Sequence, residues 1–93
     1  MPQKIEKKIL PEYYEKILAG EKTYELRLAD WECGTGDILV LIEIDPKTKE
    51  PTGRELSRKV GFVGKTKDLD FWTSDEIDKY GYQIISLLDE GKE

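Results

Sequence analysis

Lys22, Glu25 and Arg27 place an ammonium, a carboxylate and a guanidinium within six residues, directly after Gly20. Arg27 offers a planar fork that fits a carboxylate, a phosphate or a base edge. Glu25 offers acceptors for an exocyclic amine, or a proton acceptor. Lys22, if partly buried, gains the chemistry of a general base or nucleophile. Trp31 follows closely and is a candidate stacking platform for a base. Each residue also has a plain reading: a cross-strand ion pair, a solvated lysine, an aromatic cap over the core. Pattern alone tilts toward the ion pair.

The elements around these residues follow from periodicity. Ile5 to Ile9 reads as a short first strand. Pro11 suits a first helical position, and Tyr13, Tyr14, Ile17 and Leu18 recur at spacings of three and four. Residues 11–19 are therefore predicted to be a helix, capped by Gly20. From Thr23 the period changes to two, so Glu25 and Arg27 share one strand face, about 7 Å apart. Strands are usually poor in Lys and Glu, which makes this strand unusual.

Gly36-Asp37 reads as a tight turn into the apolar strand 38–44. Residues 45–53 read as a loop and 54–64 as a further strand. Thr73 and Glu76 have capping-box spacing for a second helix ending at Gly81. Residues 82–88 read as a final strand and 89–93 as a frayed tail. Phe71 is expected to supply core. The middle connections are too short for crossovers, so those strands should pair antiparallel. A single open sheet would leave unprotected edges. The expected fold class is thus α+β, mainly β: a small, mostly antiparallel β-barrel decorated by two short helices, in one domain spanning 1–93.

Composition narrows the function. The 93 residues carry a net charge of −5, with 38% charged and 38% apolar residues. That sign argues against general nucleic-acid glue. The charge is uneven, however: residues 52–67 sum to +4 while residues 68–93 sum to −6. The basic block, Arg54 included, would serve an anionic ligand or simply form a charged strand. One cysteine and no histidine make zinc, haem and thiol catalysis improbable, so no metal and no cofactor is expected. No apolar run reaches the ~18 residues of a membrane span, and the N-terminus lacks a signal peptide's apolar core. A cytoplasmic monomer without membrane partners is expected. The absence of Asn and scarcity of Gln, Cys and Met fit a thermophile.

The run from Ile17 through Gly20, Lys22, Glu25 and Arg27, followed by Gly36-Asp37 opening the strand Ile38 to Leu41, resembles the ASCH superfamily of PUA-like domains. Thr52-Gly53-Arg54 and Gly81 to Ile85 fall in compatible places, so the resemblance covers nearly the entire chain. It implies a PUA-like barrel with a charged cleft beside the first helix, and an RNA or nucleotide-like ligand linked to translation or RNA modification. Lys22, Glu25 and Arg27 match the cleft positions, with Trp31 and Arg54 as further ligand-binding candidates. Some relatives are acetylcytidine-type amidohydrolases using a Lys, a Thr and a Glu, and others are ribonucleases. Lys22 matches the lysine, but Glu25 occupies the threonine position, and the glutamate has no clear counterpart. As an enzyme, the chain would use Lys22 and Glu25 as catalytic residues, in amide hydrolysis or in a metal-free ribonuclease.

Overall fold

β2 (Ile38–Ile44), the most apolar run of the chain, is the centre of the fold. In the computed structural model, which describes residues 2–88, it is flanked by β1 (Lys4–Ile9) and β3 (Pro51–Lys59). The sheet order is β1-β2-β3. β1 runs parallel to β2, with Ile5 opposite Leu39. β3 runs antiparallel to β2, with Leu56 opposite Leu41 and an irregularity between Ile42 and Ile44. A parallel pair needs a crossover. Residues 10–37 supply it, through helix α1 (Pro11–Leu18) and a long irregular segment. A 3-10 turn at Thr66–Asp68 and helix α2 (Ser74–Tyr80) complete the regular elements.

Local chemistry accounts for the helices. α1 begins with Pro11 in its first turn and an acidic Glu12, where the free amides and the helix dipole favour negative charge. Tyr14 and Ile17, three apart, are its two buried residues. They pack with Ile9, Leu39, Leu41 and Leu56, and Ile5, Trp31 and Val60 close over this cluster. α2 has the expected capping box: the Glu76 amide donates to the Thr73 hydroxyl, and the Thr73 amide donates to the Glu76 carboxylate.

The expected closed, mostly antiparallel barrel is not what forms. The sheet is open, mixed and three-stranded. Two predicted strands, residues 23–28 and 82–88, are irregular and join no ladder. In the first, the interactions come from side chains rather than from backbone pairing, and Leu26 and Leu28 stay 67% and 79% exposed instead of packing. The second is likewise largely exposed at Ile85 and Leu87. The open edges are protected differently from closure. β1 alternates Lys4, Glu6 and Lys8 on its exposed positions, and β3 begins with a proline and carries Arg54, Arg58 and Lys59. Charge and proline on edge strands disfavour further pairing.

β3 also starts at Pro51, inside the predicted loop 45–53, and ends before residue 64. Phe71, expected in the core, is 77% exposed. It forms an edge-to-face chain with Trp72 and Tyr82, at ring separations of 5.7 and 6.0 Å. The radius of gyration, 15.5 Å, exceeds the ~12 Å of a compact chain this long. The buried apolar cluster lies entirely between Ile9 and Leu56, so none of the described residues after Leu56 belongs to its buried set. The predicted frayed tail, 89–93, lies outside the described residues. Among the described residues no helix is long and apolar enough to cross a membrane.

Candidate functional site

The end of α1 sets the position of Lys22. Gly20 adopts φ +81°, the left-handed conformation that suits a residue without Cβ. The chain turns back there. The Glu21 and Lys22 amides both donate to the Lys16 carbonyl, at 2.9 and 3.0 Å. Lys22 is thereby anchored beneath the helix terminus, and its side chain is only 11% exposed. Its ammonium donates to the Tyr24 carbonyl at 2.8 Å and to Glu25 Oε1 at 3.1 Å. It also stands 4.5 Å from the centre of the Tyr24 ring. A hydrogen bond to a charged group contributes about 1.5–3 kcal/mol, and a desolvated cation–π contact about 2. Glu25, the Tyr24 carbonyl and the Tyr24 ring therefore together hold Lys22.

Glu25 is shared. Its second oxygen, Oε2, accepts from Arg27 Nε at 2.7 Å. Arg27 Nη2 continues to the Lys8 carbonyl on edge strand β1, also at 2.7 Å. A guanidinium thus fills a place on the β1 edge where a paired strand would have put an amide. The three predicted residues form one chain of contacts, with the carboxylate in the middle and a cation on each oxygen.

This cluster lines a cavity of about 520 Å³. The buried Leu39 and Leu41 and the half-buried Trp31 give it an apolar inner wall. The end of β3 and the segment after it also line the cavity, with Arg58, Lys59, Phe62 and Lys65. Lys22, Arg27, Arg58, Lys59 and Lys65 make five cations, against Glu25 as the one acid in the lining. Lys65 is held by both oxygens of Glu32 at 3.0 Å. Among the described residues neither Arg58 nor Lys59 pairs with a carboxylate. Arg58 donates only to the neighbouring Ser57 carbonyl, at 3.0 Å.

Trp31 lies in the cavity wall as its position after the charged segment suggested, but one ring face is taken. Lys7 Nζ stands 4.1 Å from the ring centroid, and the ring packs on the core.

Arg54 lies elsewhere. It does not line the cavity, and its guanidinium closes a clamp on the α1 side of the sheet. Nε and Nη2 donate to the two oxygens of buried Glu43 at 3.0 and 2.8 Å, and Nη2 also reaches Glu15 of α1 at 2.6 Å. Thr52 adds a hydroxyl donor to Glu43 at 2.6 Å, and the Tyr14 ring lies 4.4 Å from Arg54 Cζ. The Arg54 hydrogen bonds, then that of Thr52, lower the Glu43 carboxyl to about 2. Glu43, then Glu15, raise Arg54 above its ordinary value.

The turn into β2 is a third charged feature. Asp37 accepts from the Gly34 amide at 2.8 Å and from Gln3 through backbone and side chain at 3.1 and 3.3 Å. These bonds, the Gly34 amide first, lower its carboxyl below the usual range. Asp37 thereby ties the entry of β1 to the entry of β2. Among the described residues no group of acidic or thiol side chains is placed to hold a metal ion.

Arg58, Lys59, Phe62 and Lys65 were not singled out as site residues from the sequence. The charge excess of residues 52–67 was visible, but not which part of it meets Lys22. Strand alternation carries a partial signal: Arg54, Leu56 and Arg58 share a face, and Leu56 is buried. The two arginines stand about 13 Å apart along the strand. One end of that face reaches α1 and the other reaches the cavity.

An open mixed sheet with one crossover helix and a basic cavity beside that helix's end defines the class. Residues 5–84 match the family described as Domain of unknown function (DUF3850), and the chain belongs to it. No curated protein and no solved structure gives a significant match.

Proposed function

We propose that this protein binds RNA or a nucleotide-like ligand in the cavity between the α1 terminus and the end of β3. The observation that carries the reading is the segregation of charge. A chain of net charge −5 turns five cations and one carboxylate toward a single cavity. Two of those cations, Arg58 and Lys59, lack carboxylate partners among the described residues. A volume of about 520 Å³ also falls in the ~300–1,000 Å³ range of small-ligand pockets. Arg58 and Lys59 hold phosphate, Arg27 contributes its remaining donors, and the apolar wall with Trp31 accepts a base. The resemblance of residues 17–41 to the ASCH superfamily supports the same ligand class.

The test is a titration of short labelled RNAs and of a nucleoside monophosphate at low and moderate salt. Binding should weaken with salt as phosphate contacts release counterions. Arg27→Ala and an Arg58→Ala/Lys59→Ala double variant should bind more weakly. No binding at low salt, or equal binding by the double variant, sinks the reading.

A further inference from the structure

We infer that the loop Gly61–Gly64 is a stacking platform for an unpaired base, and that the cavity's ligand is accordingly single-stranded RNA. The inference rests on the phosphate-binding reading of the cavity and adds strand form and a stacking residue to it. Phe62 lines the cavity, yet is 93% exposed. A lone exposed aromatic needs no explanation. This one is held in place on both sides and is interleaved with cations.

On its N-terminal side the Val60 carbonyl accepts from the Gly36 amide at 2.8 Å, the Val60 amide donates to the Asp37 carbonyl at 2.7 Å, and the Thr35 hydroxyl donates to the Gly61 carbonyl. On its C-terminal side Lys65 is fixed by Glu32. The ring itself lies against Gly64, where a Cβ would come within 3.2 Å of Phe62 Cε2. The loop thus presents a nearly fully exposed ring from a hydrogen-bonded base, with Arg58 and Lys59 before it and Lys65 after it.

A basic track with an interleaved aromatic is the arrangement that binds single strands, because every base has a π-face and the backbone follows the cations. A paired base is not available for it. An A-form duplex shows proteins its phosphates, 2′-hydroxyls and a shallow groove, while unpaired bases splay out and stack. One ring at the mouth of a single cavity therefore selects an unpaired base.

The experiment measures fluorescence anisotropy of a labelled eight-nucleotide single-stranded RNA and of the same sequence as a blunt duplex, with ribose 5-phosphate as a competitor. It uses the wild-type chain, Phe62→Ala, Phe62→Trp and the Arg58→Ala/Lys59→Ala variant. The single strand is expected to bind about tenfold or more tighter than the duplex, Phe62→Ala to lose about tenfold on the single strand, and Phe62→Trp to retain binding. Ribose 5-phosphate, which has no base, should compete equally against wild type and Phe62→Ala. Phe62 is nearly fully exposed, so its loss should not unfold the chain; a circular dichroism melt checks this. Equal binding of single strand by Phe62→Ala and wild type, or equal binding of duplex and single strand, overturns the inference while phosphate binding still stands. If neither RNA nor ribose 5-phosphate binds wild type, or the double variant binds both as wild type does, the underlying reading falls and this inference with it.

Discussion

Two charge clusters in this molecule use the same groups to different ends. In the first, Glu25 lies between Lys22 and Arg27. In the second, Arg54 lies between Glu43 and Glu15. The second joins three regular elements, α1, β2 and β3, and its β2 carboxylate, Glu43, has a side chain only 5% exposed. The first joins an irregular segment to the edge of β1 and opens on a cavity. A clamp between packed elements fixes geometry, and here Nε and Nη2 of its arginine are both held by carboxylates of the protein. A cluster on a cavity wall keeps guanidinium and ammonium groups where a ligand can meet them. Similar ion pairs thus have different consequences according to what lies on their open side.

The sharpest way to break this comparison is to remove one arginine from each cluster. Arg54→Ala leaves Glu43 buried in β2 without its cation, and an uncompensated buried charge is strongly destabilising. The thermal midpoint at neutral pH should fall by several degrees, clearly more than in Arg27→Ala, where Glu25 keeps Lys22 as a cationic partner. Binding of RNA by the folded Arg54→Ala protein should stay within about twofold of wild type, since distant sites act independently. Equal drops in midpoint, followed by circular dichroism, would show that both clusters are structural clamps.

The two arginines on one face of β3 give the next contrast. Arg58→Ala removes a cavity cation without a carboxylate partner among the described residues. It should weaken RNA binding several-fold and reduce the slope of log K against log salt by about one. Its melting curve should barely move. The opposite pattern to Arg54→Ala is the expected result; a shared pattern would mean that the cavity end of β3 is not a ligand surface.

Much of this contrast is hidden in the sequence, for identifiable reasons. Local signals were legible: Pro11 and Gly20 bound α1, Thr73 and Glu76 cap α2, and the run Ile38 to Ile44 is the central strand. Lys22, Glu25 and Arg27 meet as their proximity suggested. Non-local facts were not legible. The period-two pattern of residues 23–28 fits extended backbone but does not specify a ladder partner, and here side chains replace it. Nothing in Tyr82 to Leu88 distinguishes a paired strand from an exposed one. Arg54 and Arg58 have the same parity, so only the position of α1 over one end of β3 separates clamp from cavity.

pH tests the clamp by a different route. The Glu43 carboxyl is lowered from its ordinary 4.5 to about 2 in the fold. A depressed carboxyl contributes stability that is present above the unfolded value and is lost as pH falls through the folded one. Wild-type stability should therefore decline between pH 4.5 and 2, and Glu43→Gln should flatten that decline. Asp37, also lowered, leaves a residual slope in the same direction. An unchanged pH profile in Glu43→Gln, followed by urea unfolding at several pH values, would remove Glu43 from the clamp.

The smallest expected effect is the most diagnostic for the cavity cluster. Glu25→Gln deletes the one negative charge in the lining while keeping an acceptor for Lys22 or Arg27. If the cluster is open to a ligand, the released cation should tighten binding of inorganic phosphate or ribose 5-phosphate, by about threefold at low salt, and screening at higher salt should erase the gain. A nucleoside monophosphate bearing an exocyclic amine separates two roles for Glu25. Should the carboxylate serve only to position Lys22 and Arg27, that ligand gains as the base-free phosphate does. Should it accept the base's amine, the gain is cancelled for that ligand alone. Unchanged affinity for every anion, measured by calorimetry, would mean that Lys22 and Arg27 serve the protein's own contacts, as Nε and Nη2 of Arg54 do, and meet no ligand.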